Sequence, residues 1–240
     1  VGFGKDKNGG RTEEMPVPAN LDYNTWLGPT PQAFYTEDRV HNQDTAKLGS
    51  RPGWIQMEPY GWGMITNWGA HHIDIAHWGM GMELSGPNVI EARADFMKND
   101  QWTVHYRYHV EMLYPNNVQV ILDDKFENGI RFEGEEGWIF CQRGSERVTA
   151  SDPNPAGEEK GKGSLRASDQ KLLAPLTGSG KRWQPSFDHY ENWVESVMAK
   201  MQPIAPIHES ARSLQACAAA WIGMKLGRKL KWDPIKETFP

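Results

Sequence analysis

The chain is expected to adopt an α+β fold, an open and mainly antiparallel β-sheet with helices packed on one face. Three observations support this. Residues 88–149 read as consecutive strands with no helical pattern between them, which favours a meander over a parallel sheet. Helical periodicity appears on either side of that block, at residues 61–86 and from Ser186 onward. A polar tract rich in Gly, Ser, Pro and Lys, residues 151–185, separates the strands from the last helices.

Residues 1–60 are rich in turn formers, with Pro16, Pro18, Pro29 and Pro31 around one short helical candidate at Leu21–Leu27, stopped by Gly28-Pro29. Gly2-Phe3-Gly4 hints at a dinucleotide fingerprint. Lys7 stands where the third glycine belongs, and a polar loop follows in place of a helix, so we reject it. The strand candidates are Val89–Phe96, Val104–Leu113, Val118–Leu122, Gly129–Glu133 and Trp138–Gln142. Gly134-Glu135-Glu136-Gly137 marks a hairpin between the last two, and Arg147–Ala150 can add an edge. Ser186–Met201 follows as a helix whose Phe187, Tyr190, Trp193 or Val194, and Val197 recur at helical spacing. Pro203 and Pro206 end it, and His208–Leu226 forms the last helix, closed by Gly227 and basic residues. Trp193 and Trp221 are expected in the core.

Composition excludes several classes of function. The 240 residues carry a net charge of -5, 38% hydrophobic and 24% charged residues, as an ordinary globular chain does. No basic stripe supports nucleic-acid binding. No apolar run approaches the roughly 20 residues of a bilayer span. The 2 cysteines, Cys141 and Cys217, have neither metal-ligand spacing nor disulfide density. The 11 tryptophans are the outlying figure, and those in Gly-rich loops (Trp54, Trp62, Trp138) suit a carbohydrate-like ligand as well as core filling.

The densest chemistry lies in Asn67-Trp68-Gly69-Ala70-His71-His72-Ile73-Asp74-Ile75-Ala76-His77-Trp78. On a helix, Asn67, His71, Asp74 and Trp78 fall about one turn apart on one face, while Ile73 and Ala76 face a core. His71 reads as an acid/base or as a structural histidine, and Asn67 as the amide that holds a neighbouring hydroxyl. Asp74 either orients His71 or makes a structural hydrogen bond. His72 contacts ligand or packs, and His77 is expected to be solvated or at an interface, outside the site. A zinc or manganese centre is disfavoured because adjacent histidines diverge by about 100° on a helix, so no metal ligand is assigned. Upstream, Tyr60, Trp62 and Trp54 can form a sugar platform or pack. Arg39 and His41 lie in an irregular polar segment, with Arg51 beyond, and Arg39 is kept as a substrate-binding candidate.

Four segments carry a resemblance. Leu21-Asp22-Tyr23-Asn24-Thr25-Trp26-Leu27-Gly28-Pro29 resembles the "LDWDLWLGP" segment of the Gfo/Idh/MocA oxidoreductases. Trp68-Gly69-Ala70-His71-His72-Ile73-Asp74-Ile75-Ala76 is similar to their "WGxHHxDxA" helix, and Gly134–Ile139 to their "GTEGWI" hairpin. Leu226–Pro234 is similar to their "LGRKLxWDP". The resemblance implies the family's C-terminal substrate domain. Residues 1–35 would be the connection from a nucleotide-binding domain, and residues 36–240 the substrate-binding domain with 151–185 as loop or flap. NAD or NADP, the nucleotide-binding glycines and the family's catalytic lysine would belong to that other domain, absent from this chain.

The implied substrate is a sugar, cyclitol or glycoside, with His71 taking a hydroxyl proton as hydride leaves for the nicotinamide. The open sheet face implies a homodimer or homotetramer. The family pattern Asp-x-Gly-x-His-x-x-Asp matches at Gly69, His71 and Asp74, but Asn67 stands at the first aspartate. A carboxylate there would raise the histidine's pKa, and an amide adds no charge. That departure keeps open a lyase, hydratase or glycosidase acting on keto-glycosides, and a non-catalytic sugar-binding or assembly module.

Overall fold

The computed structural model describes residues 13–40, 53–98, 101–142, 165–174 and 188–240. The Gly2-Phe3-Gly4 segment, His41, Arg51, the edge strand expected at Arg147–Ala150, most of the 151–185 tract, Ser186 and Phe187 lie outside the described residues. Backbone contacts group the chain into two compact units. The first comprises Val1–Ile73, Ser85–Phe126 and Ser213–Pro240, the second Asp74–Leu84 and Glu127–Arg212.

The sheet of the first unit contains β1 (Val89–Phe96), β2 (His105–Leu113), β3 (Gln119–Asp123) and the late strand β7 (Leu230–Lys231), in the order β3-β2-β1-β7. All pairs are antiparallel, with Ile90 opposite Met112 and Ala92 opposite Val110. Alternation decides the faces: Ile90, Val110 and Met112 are fully buried, while Glu91 and Arg93 point outward. The β2–β3 connection turns through Asn117 at φ 63, a conformation asparagine tolerates. The single meander expected from the sequence is thus divided. Its first three strands join β7, whereas β4 (Ile130–Gly134) and β5 (Gly137–Cys141) pair with β6 (Leu165–Ala167) in the second unit.

The inner face of the first sheet is covered by the C-terminal part of α4 (Ile207–Leu226), whose Ala216, Cys217, Ala219, Ala220, Trp221, Gly223 and Met224 are buried. Small residues let this helix approach closely. A Cβ added at Gly223 would lie 3.1 Å from Ala92 Cβ and 3.2 Å from Ile90 Cγ2. Trp221 fills the space beyond, edge-on to Phe96 at 5.5 Å between ring centres. Gly223→Val is therefore expected to destabilise the chain by about 1–3 kcal/mol by overpacking, read as a lower midpoint in urea with the m-value unchanged. Gly227 ends the helix at φ 58, its N–H bonded to the Gly223 carbonyl.

In the second unit the β4–β5 hairpin pairs Gly134 with Gly137, and Gly137 takes φ 140. A Cβ on Gly137 would collide with Ser168 Oγ, which accepts a 2.9 Å hydrogen bond from the Trp138 N–H. Gly137→Ala combines that collision with a backbone conformation alanine rarely adopts. It is expected to lower the thermal midpoint of the second unit by several degrees, while a Gly134→Ala change, with only Gly137 O at 3.8 Å, has a smaller effect.

The helix α3 (His189–Ala199) forms where periodicity places it. Asp188 caps it by accepting from the Tyr190 and Glu191 N–H groups, and Lys200 closes it in the left-handed conformation. Its packing corrects the sequence reading. Trp193 is 63% exposed, not core, and Tyr190, Val194 and Val197 are exposed with it; Trp221 alone of the two tryptophans is buried. Periodicity reports that an apolar stripe exists, not what it packs against.

Candidate functional site on the histidine helix and its approach

A short approach leads into α2 (Trp68–Met80). Gly63 takes φ 70 and opens a single 3-10 turn to Ile65, burying Met64 and Ile65. Asn67, half-buried, directly precedes the helix, so its side chain sits one turn before His71. Gly69 permits the tight entry, since a Cβ there would stand 3.3 Å from the Met64 carbonyl oxygen. Trp68 then touches both neighbouring histidines, with ring centres 5.8 Å from His71 and 5.9 Å from His72. His71 is exposed, whereas His72 and Asp74 are half-buried. Ile73 and Ala76 are buried, as the helical face reading requires.

His77 departs from expectation. It is fully buried rather than solvated, and desolvation pushes its pKa down to about 4 against the opposing pull of Asp74 and Glu83. The reason is angular: His77 follows Ile73 by four residues and shares its inward face. Burial separates an accessible histidine at the start of the helix from a neutral, structural one near its end.

Arg39 and Tyr60, distant in sequence, meet. Arg39 Nη1 donates to Tyr60 Oη at 3.4 Å and approaches Met57 Sδ, Nη2 donates to Gln101 Oε1 at 3.2 Å, and Nε donates to the Phe34 carbonyl at 3.1 Å. Gln101, buried, is held in turn by donating to the buried Thr36 Oγ1. The guanidinium lies against the Phe34 and Tyr60 rings, and Tyr60 packs on Trp26, which stacks on Tyr23. Burial is the main cause that raises the Tyr23 pKa, with Arg39 pulling it down and Tyr60 and Tyr35 adding to the rise.

The two loop tryptophans differ from that cluster. Trp62 stacks almost parallel on the buried Trp221, at 6.0 Å and 2°, and Trp54 is half-buried beside Gly61. The structure therefore brings the candidates together as two groups, Trp68 with His71 and His72, and Arg39 with Tyr60. The segment from Tyr60 to Asn67 joins them along the chain.

Sequence reading missed His105. Strict alternation from His109 would set His105 on the outer face of β2. A register shift opposite Asp95 and Phe96 instead leaves Tyr106 and Arg107 both exposed and turns His105 inward with Tyr108. It is buried against Tyr108 and Trp221, neither ring nitrogen has a hydrogen-bond partner among the described residues, and desolvation lowers its pKa to about 3. No periodic signal announces a bulge.

On the outer face of the sheet, His109 lies between Glu111 (Nε2, 2.9 Å) and Asp123 (Nδ1, 2.7 Å), and these hydrogen bonds, Glu111 first, raise its pKa. A shallow cavity of about 280 Å³ there is lined by Glu91, Arg93, His109, Glu111, Arg228 and Lys229 among others. Among the described residues no three His, Cys, Asp or Glu side chains are grouped to hold a metal ion, and no helix is long and apolar enough to cross a membrane. The described strands are all antiparallel, and the described residues contain no strand–glycine loop–helix unit of the dinucleotide-binding kind.

Antiparallel sheets covered by a helix of small residues define an α+β domain. The family model for the oxidoreductase C-terminal alpha/beta domain matches residues 5–152, and the chain belongs to the Gfo/Idh/MocA oxidoreductase family. Among solved structures it is similar to the aldose-aldose oxidoreductase from Caulobacter crescentus complexed with glycerol. That match has 18% identity and a TM-score of 0.50, and covers 74% of this chain and 50% of the other. An NAD-binding protein from Listeria innocua matches at 17% identity and TM-score 0.46, over 74% and 50%. An oxidoreductase from Agrobacterium radiobacter in complex with NAD+, L-tartaric acid and magnesium matches at 16% and 0.41, over 68% and 47%. The chain thus spans about half the length of these relatives. No curated protein matches it.

Proposed function

We propose that this chain is the substrate-binding part of an NAD(P)-dependent oxidoreductase acting on a sugar, cyclitol or glycoside, with His71 as acid/base. The observation that carries the reading is the exposed His71 beside Trp68 at the start of α2, on the family's histidine-helix pattern. An accessible imidazole can take a hydroxyl proton, and Asn67, one turn earlier, can hold the adjacent hydroxyl without adding charge. Asp74, one turn later, would orient His71, and His72 would contact substrate. Trp54, Tyr60, Trp62 and Arg39 would shape the approach. NAD or NADP would be bound by a nucleotide-binding domain outside residues 36–240, with residues 1–35 as the connection, so what these residues supply is binding, orientation and proton transfer.

Asn67 in place of the family's aspartate supports a second reading, cleavage or hydration of a keto-glycoside at the same histidine. Incubating the full-length protein with NAD and a panel of glycosides separates the two. Net NADH formation supports the dehydrogenase, and product release without net reduction supports the lyase or hydrolase. Neither, from a folded protein, would remove both.

Self-association through the outer face of the first sheet, as homodimer or homotetramer, is part of the same proposal. That face exposes Leu113 and Ile121 between the charged side chains. Ile121→Glu is expected to shift the sedimentation coefficient toward the monomer; an unchanged value would exclude this face.

A further inference from the structure

We infer that the ligand of this domain carries a carboxylate, that is, an acidic sugar of the uronate or aldonate class, held by Arg39. The inference rests on the sugar reading above and narrows it. Arg39 is half-buried, yet every partner it has among the described residues is neutral: the Phe34 carbonyl, the Tyr60 hydroxyl, the Met57 sulfur and the Gln101 amide oxygen. No carboxylate pairs with it among the described residues. A partly desolvated guanidinium ordinarily has an anion within reach, because neutral acceptors offset only part of the lost hydration.

The surroundings are built rather than incidental. Gln101, 3% exposed, and Thr36, 0% exposed, fix one arm of the fork from beneath. Among the described residues one Nη2 N–H has no acceptor, since that nitrogen has two N–H groups and one partner there. Tyr35, 2% exposed, packs edge-on against Tyr23, and its hydroxyl lacks a hydrogen-bond partner among the described residues. Around the cation, Tyr23, Trp26, Phe34 and Tyr60 offer flat rings on which the C–H face of a sugar can stack. That N–H can donate a charge-assisted hydrogen bond to one oxygen of a carboxylate, and a pyranose ring suits the aromatic wall beside it.

The test is calorimetric binding to the full-length protein of four probes: glucuronate, its uncharged methyl ester, glucose and glucose 6-phosphate. Glucuronate is expected to bind at least ten-fold more tightly than its ester or glucose, with a preference that weakens as salt rises. Arg39→Met is expected to abolish that preference, and Arg39→Lys to keep part of it. The comparison of glucuronate with its ester needs no variant, so it holds even if Arg39→Met misfolds. Equal affinity for acid and ester, or a preference that survives Arg39→Met, would overturn the inference while leaving the sugar reading standing. Tighter binding of the phosphate than of the uronate would overturn the carboxylate. Absence of binding by any of the four would sink both.

Discussion

Replacing His71 by alanine in the full-length protein is expected to lower kcat/KM about 100- to 10,000-fold, the range over which a positioned acid/base contributes. The fold should be unaffected, because His71 is exposed and the inward side of α2 is carried by Ile73, Ala76 and His77. Circular dichroism of the variant checks that, and steady-state kinetics checks the loss. His72→Ala, which removes a half-buried ring on a different face, is expected to cost less than ten-fold. Asn67→Asp is the more discriminating change. A carboxylate one turn before His71 favours the protonated imidazole, so the acidic limb of the pH–rate profile should move to higher pH. A His71→Ala protein that keeps its full kcat would end the acid/base assignment.

Stability is expected to fall steeply as pH drops from about 6.5 toward 4. His77 and His105 are held neutral in the folded chain, with pKa values lowered by burial to about 4 and about 3. Unfolded histidines titrate near 6.5, so below that pH the unfolded state binds more protons than the folded one. The stability these residues leave intact above about 6.5 is therefore lost as pH falls through the window. Each contributes about 1.4 kcal/mol per pH unit to the unit it belongs to. Denaturant unfolding at pH 7, 6 and 5 measures the slope.

His105→Phe should remove the His105 share, and at pH 7 it should be neutral or stabilising by about 1 kcal/mol. A ring of similar shape would replace a buried imidazole that has no hydrogen-bond partner among the described residues. A His105→Phe chain with the same pH slope as the parent would contradict the assignment. His109 titrates in the opposite sense. Its pKa is raised by Glu111 and Asp123, so its contribution is present at low pH and lost as pH rises.

Much of the fold was legible because it depends on local pattern. The period-2 runs located β1, β2 and β3 almost to the residue, and Gly134–Gly137 marked the hairpin, since a tight turn needs a residue that accepts positive φ. The histidine helix was legible too, with the inward side of Ile73 and Ala76 following from the 3.6-residue period. What the pattern missed was partnership. It placed Trp193 in a core because it lies on an apolar stripe, and it left His77 outside one because histidine is usually exposed. Burial reversed both.

The sequence by itself determined the α+β class, the positions of β1 to β5, the family, and a short segment where an imidazole and an amide stand one turn apart. These follow from side-chain periodicity and turn chemistry, which act over a few residues. Only the tertiary structure decided which strands share a sheet, that a register shift turns His105 inward, and that Arg39 meets Tyr60 and Gln101. Those outcomes depend on contacts between residues 21 to 62 positions apart or more, or on a bulge that costs the chain no recognisable residue type. A histidine's accessibility, and hence its chemistry, is set by what packs over it.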